Sequence, residues 1–136
     1  MSPESNFLLD SYALMAYLGA EQGWERVKEI LYQAEEGALS LYLYMINLGE
    51  ILNMTERRRG LEKAQDIQAL IENLPIEIVD AARDLILDAA HIKANYPLSY
   101  ADAFVVALAQ RENGIILTGA PEFQAVEALA TIEWLK

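Results

Sequence analysis

The sequence predicts an α/β protein whose parallel sheet is covered by helices on both faces. Three observations lead there. Short apolar runs of strand length recur along the chain, as in NFLLD, GIILTG and ATIEWL. Several of the longer segments between them carry apolar residues at helical spacing with charges opposite. Glycine or proline stands at most of the junctions. Strands that are apolar on both sides need cover on both faces, and a parallel sheet with flanking helices supplies it.

NFLLD, ending at Asp10, is the first buried strand. SYALMAYLG follows with helical spacing; Ser11 suits the N-cap and Gly19 the stop. EQGWERVKEILYQAEEG is amphipathic, with Trp24, Val27, Ile30, Leu31 and Ala34 on one face, and Gly37 ends it. ALSLYLY reads as a second strand and MINLGEILNMTERRR as a helix ending at Gly60. LEKAQDIQALIENL is a further amphipathic helix, stopped by Pro75. IEIV is a strand, and DAARDLILDAAHIKANY is a helix ending before Pro97. PLSYADAFVVALAQ forms the next helix, and GIILTG a short buried strand. PEFQAVEAL reads as helical or turn-like, and ATIEWL as a terminal strand. Trp24 and Trp134 are expected in the core. Ligands of such sheets bind at the carboxyl ends of the strands, where Asp10 and the loop TGAPEF both fall.

At 136 residues and 54% hydrophobic, the chain is expected to form one domain with a real core, since no Gly-, Pro- or Ser-rich linker divides it. The longest uncharged run, ALSLYLYMINLG, is shorter than the about 20 apolar residues of a membrane span, so no membrane partner is expected. The start MSPESNFLLDSY has neither a basic n-region nor a cleavage signal, which predicts a cytoplasmic protein. The absence of cysteine excludes disulfides, thiolate metal sites and a cysteine nucleophile. A net charge of −11 argues against broad binding to nucleic acid through a basic footprint. If the acids converge in one pocket, the same charge favours bound cations.

Three acids stand among apolar neighbours. Asp10 ends a run of Phe7, Leu8 and Leu9. Glu50 lies between Ile46 and Met54 at one-turn spacing, on a helix that also carries Leu48, Ile51 and Leu52. Asp102 occupies the first turn of a helix apolar on almost every side, one turn from Leu98, Val105 and Val106. A buried carboxylate without a partner is costly, so each calls for compensation. Each also has a local explanation. Asp10 can accept hydrogen bonds from the amides opening the next helix. Glu50 can be an ordinary helix-surface residue. SYAD fits a capping box, with Ser99 as N-cap and Asp102 three residues on. These explanations are independent, whereas a functional reading requires all three acids in one crevice at the sheet edge. Carboxylates held about 4 Å apart in a low-dielectric cleft repel strongly, and a divalent cation relieves that repulsion. All-oxygen ligation, without Cys or a His pair, favours Mg²⁺ or Mn²⁺ over zinc. Magnesium sites made only of carboxylates are typical of enzymes acting on phosphate esters.

FLLDSYALMAYL, INLGEILN, LSYADAFVVALA and IILTGAPEF occur in the order and context of PIN-domain ribonucleases. The chain most resembles the VapC toxins of bacterial and archaeal toxin–antitoxin pairs, over nearly its whole length. The resemblance implies a PIN-like parallel sheet of about five strands flanked by helices, with an acidic pocket at its edge. That pocket would bind Mg²⁺ or Mn²⁺ and hydrolyse single-stranded or loop RNA, leaving 5′-phosphate and 3′-hydroxyl ends. Asp10, Glu50 and Asp102 match the first three acids of the family, and Ser11 and Thr118 match small hydroxyl positions beside the pocket. The resemblance further implies a homodimer and a small antitoxin whose tail covers the site. One position departs. The family commonly has aspartate where this chain has Ala120. Pro121 suits a first helical position, which makes residue 120 the N-cap, and alanine caps about 1 kcal/mol less well than aspartate. Glu122 is one candidate replacement ligand, its longer side chain reaching back; as a first-turn acid it is also favoured by the helix dipole alone. Otherwise Ala120 marks a weakened or inactivated nuclease.

ERRRG is the one basic cluster; Arg57, Arg58 and Arg59 either guide RNA phosphates or simply complement a helix C-terminus. The stripe Asp84, Asp88, His91, Asn95 has metal-like spacing but reads as a solvated helix face. Tyr12, Tyr17 and Tyr32 suit base stacking and helix packing equally. Two competing readings remain. A phosphatase with Asp10 as nucleophile is disfavoured, because LDSYA lacks the second acid two residues on. The stronger alternative is an eroded PIN fold kept as an interaction module for a protein or RNA, for which Ala120 is the best support.

Overall fold

The computed structural model describes residues 5–136; residues 1–4, where the stretch read for a leader begins, lie outside the described residues. Five strands, β1 (Ser5–Leu9), β2 (Leu39–Tyr44), β3 (Glu77–Val79), β4 (Ile115–Thr118) and β5 (Thr131–Trp134), form one sheet in the order β3-β2-β1-β4-β5. All pairings are parallel, with Phe7 opposite Leu41 on one side and Ile115 on the other. Helices α1 (Ser11–Leu18) and α2 (Trp24–Glu35) join β1 to β2, and α3 (Met45–Arg59) and α4 (Leu61–Glu72) join β2 to β3. Helices α5 (Arg83–Asn95) and α6 (Tyr100–Glu112) lead to β4, and a 3-10 helix, Pro121–Val126, leads to β5. The expected parallel sheet covered on both faces is what the chain forms.

Side chains alternate across β1. Leu8 packs with α5 and α6, while Phe7 and Leu9 pack with residues of α1 to α4. Both faces of the strand are thus apolar because both are covered. The chain builds outward from β1 through β2 to β3, then crosses back to place β4 on the other side of β1. Neighbouring connections therefore leave β1 and β4 in opposite directions, and the carboxyl ends of these two strands lie where such sheets take their ligands. Asp10 and Thr118 stand there. No described helix is long and apolar enough to cross a membrane.

Three expectations need correction. The N-cap of α1 is Asp10, not Ser11: its side chain accepts from the Ala13 amide while Ser11 starts the helix. Trp24 and Trp134 are half-buried rather than core. Trp24 opens α2 at the rim, with the Lys28 ammonium 5.6 Å from its ring centre, and Trp134 lies on the edge strand β5, which exposes part of it. Ile46, expected to flank Glu50 as an apolar neighbour, is 37% exposed. The stripe Asp84, Asp88, His91, Asn95 is exposed along its length, with Leu85, Ala89 and Ile92 buried opposite.

Candidate active site

Asp10 is 1% exposed at the end of β1. Its two oxygens are both held: the Ala13 amide donates to Oδ1 at 2.9 Å and Thr118 Oγ1 donates to Oδ2 at 2.5 Å. Thr118 reaches it because β4 lies beside β1 in register, and its own oxygen accepts from the Ala120 amide at 3.0 Å. Burial pushes the Asp10 carboxyl up to about 7; the Thr118 and Ala13 hydrogen bonds pull against this, and the charge of Asp102 adds to it.

Asp102, half-buried in the first turn of α6, is pushed up to about 6, chiefly by burial and then, beyond a Ser99 contact that opposes it, by the charges of Glu122 and Glu50. Ser99 caps the helix, accepting from the Asp102 amide at 3.1 Å. The expected cap is present and uses the backbone amide of Asp102, while the Asp102 carboxylate senses Ser99, Glu122 and Glu50. Glu50, half-buried on α3, accepts from Ser11 Oγ at 2.5 Å. Four acids from four parts of the chain thus sense one another: Asp10 with Asp102, and Asp102 with both Glu50 and Glu122.

The gathering is loose. Among the described residues no three His, Asp or Glu side chains stand close enough together to hold one metal ion. Ligation by three of them therefore needs rotation of Glu50, Asp102 or exposed Glu122, none of which is locked in the core. The donor chemistry itself fits a hard cation: carboxylates, hydroxyls and amide oxygens, with no sulfur.

Asn47 is a member that the sequence reading missed. It is fully buried in the first turn of α3, its Nδ2 donates to Ser11 Oγ at 3.3 Å, and its Oδ1 has no partner. The available signal was its spacing, three residues before Glu50 on one helix face. Ala120 is 8% exposed and caps the 3-10 helix with no side-chain hydrogen bond, Pro121 following at the first helical position. Arg57, Arg58 and Arg59 are exposed in the last turn of α3, and about 12 Å of helix axis separates Glu50 from Arg58. The structure does not bring them to the acids.

Comparisons with known proteins agree with this architecture. A family model described as PIN domain matches residues 7–129. VapBC2 from Rickettsia felis, solved with a promoter DNA fragment, superimposes with a TM-score of 0.75 at 14% identity, covering 96% of this chain and 99% of that one. VapC20 of Mycobacterium tuberculosis, a sarcin–ricin loop cleaving toxin, gives 0.69 at 18% identity, covering 88% and 94%. FitAcB from Neisseria gonorrhoeae gives 0.67 at 18%, covering 93% and 95%. No curated protein sequence matches the chain. Several of the structural neighbours are VapC toxins of toxin–antitoxin systems. With 7–129 matched by its model and the sheet order in place, the chain belongs to the PIN domain family.

Proposed function

We propose that this protein is a divalent-cation-dependent endoribonuclease of toxin type, acting in the cytoplasm on single-stranded or loop RNA. The observation that supports the reading is that Asp10, buried at the carboxyl end of β1, feels the charge of Asp102, which in turn feels those of Glu122 and Glu50. Asp10, Glu50 and Asp102 would hold Mg²⁺ or Mn²⁺, and Glu122 would stand in for the acid that Ala120 lacks. When bound, the cation supplies positive charge that activates water and neutralises charge developing on the scissile phosphate.

The chain's own groups prepare for this. Thr118 and the Ala13 amide fix the orientation of Asp10, and Ser11 donates to Glu50. Four carboxylates around one crevice repel an RNA phosphate until their charge is offset, so excess EDTA abolishes cleavage. The hydrolysis leaves 5′-phosphate and 3′-hydroxyl ends; a 2′,3′-cyclic phosphate product counts decisively against the reading. By analogy with VapBC complexes, a small antitoxin and a second copy of the chain are the expected protein partners.

Ala120 favours a second reading, a PIN fold retained for binding alone. One experiment separates the two: cleavage of a varied RNA panel in Mn²⁺ by the chain as it stands and by Ala120→Asp. Cleavage by both supports the nuclease with Glu122 compensating, and Glu122→Gln then reduces it about tenfold or more. Cleavage only by Ala120→Asp indicates an inactivated nuclease. No cleavage by either leaves the binding module.

A further inference from the structure

The outer edge of the Tyr12 ring lies against Gly119 of the site loop. A Cβ placed on Gly119 would collide with the Tyr12 ring and come within 2.8 Å of its Cζ. Glycine at 119 leaves the ring its space: any side chain there would require the outer end of Tyr12 to move. Gly119 sits between Thr118, which bonds to Asp10, and Ala120, whose amide bonds to Thr118. Tyr12 itself is two residues beyond Asp10 in the first turn of α1. One part of the ring is thus seated beside the crevice, while 46% of the residue stays exposed to solvent.

A half-exposed aromatic ring at the rim of a candidate phosphodiester site suits one ligand chemistry in particular. A chain of net charge −11, with its arginine cluster at the far end of α3, draws little affinity from phosphate contacts. Base stacking on an aromatic side chain supplies affinity that does not depend on backbone charge. We propose that Tyr12, seated where Gly119 leaves room for it, is the platform on which a nucleobase next to the scissile phosphate stacks. The inference rests on the nuclease reading above and adds a residue that positions substrate. It assigns no proton transfer or cation contact to the phenol.

The test measures binding of an oligoadenylate of about eight nucleotides, and of the same backbone with abasic residues, by fluorescence anisotropy. Ca²⁺ replaces Mn²⁺ to slow hydrolysis. Tyr12→Ala should weaken binding of oligoadenylate about tenfold or more, with Tyr12→Phe near the parent protein. Gly119→Ala, which displaces the ring, should reproduce Tyr12→Ala without touching the aromatic residue. On the abasic strand the parent and Tyr12→Ala should bind alike, and the salt dependence should be the same for both, since no phosphate contact is lost. In Mn²⁺ cleavage, Tyr12→Ala should raise KM and leave kcat within about twofold. If the parent cleaves RNA and Tyr12→Ala retains its affinity and KM, the inference is overturned, and the exposed ring belongs to protein contact instead. If the parent neither binds nor cleaves any RNA, the nuclease reading fails and takes this inference with it.

Discussion

Asp10 is the one charged side chain among the described residues that is buried, and its proton is where the site and the stability of the fold meet. Its carboxyl sits at about 7 in the folded chain against 3.8 in a free one. Between about pH 4 and 7 the folded chain therefore keeps a proton that the unfolded chain releases. Its contribution to stability is fully present below about pH 4 and is lost as pH rises through 7; Asp102 repeats the pattern up to about 6. Glu133 works in the opposite sense. Held low by Arg26, which donates to it at 2.6 and 2.9 Å, it weakens the fold only as pH falls below the usual glutamate range. The cation-free protein should thus melt at a lower temperature near pH 8 than near pH 5, with a slope of at most about 1.4 kcal/mol per pH unit for each proton. Asp10→Asn keeps an oxygen to cap α1, so it should raise Tm near pH 8, flatten the slope and abolish cleavage. Scanning calorimetry across the pH range checks both, and a Tm that climbs from pH 5 to 8 would contradict the burial assigned to this carboxyl.

Among the elements, α6 carries the most instructive conflict. Its first turn must place a carboxylate in the crevice while the rest of the helix is buried from Ala103 to Ala109. Ser99 resolves this by satisfying the Asp102 amide from outside the helix. Ser99→Ala should cost about 1 kcal/mol in urea denaturation and reduce cleavage as well, because Asp102 loses its anchor. Helix α3 has opposite chemistry at its two ends, with Asn47 and Glu50 at the sheet edge and three arginines at its C-terminus. If those arginines carry RNA past the site, reversing all three charges should weaken binding and reduce the slope of log K against log salt by about 2. Unchanged binding would leave them complementing the helix end alone, worth about 0.3–1 kcal/mol.

For the molecule as a whole, the charge of −11 and the pI near 4.4 mean that the proposed cation binding would bear on stability as well as chemistry. A cation that binds only the folded chain stabilises it by about 2.7 kcal/mol at a hundred times its Kd. Mn²⁺ should therefore raise Tm of the parent protein near pH 8, where the acids are ionised and repel most. Asp10→Asn and Asp102→Asn should each lose most of that increment. An equal gain in both variants would place the cations elsewhere on the acidic surface.

The sequence by itself determined the order and type of every described element, because each signal is local: apolar runs of strand length, amphipathic spacing, and Gly or Pro at the junctions. The four family motifs, read in order, were legible for the same reason. Asp10, Glu50 and Asp102 could be singled out by apolar neighbours in the sequence, but not the side chains they bond or sense. Only the tertiary structure decided that Thr118 reaches Asp10, that Ser11 bonds Glu50 rather than capping α1, and that the Tyr12 ring fills the space left by Gly119. The first and the third depend on β4 crossing back beside β1, a pairing between residues more than a hundred positions apart, and the second on α1 meeting α3 across 39 positions. No window of sequence contains both partners, so hydrogen bonds and collisions across that crevice leave no local trace.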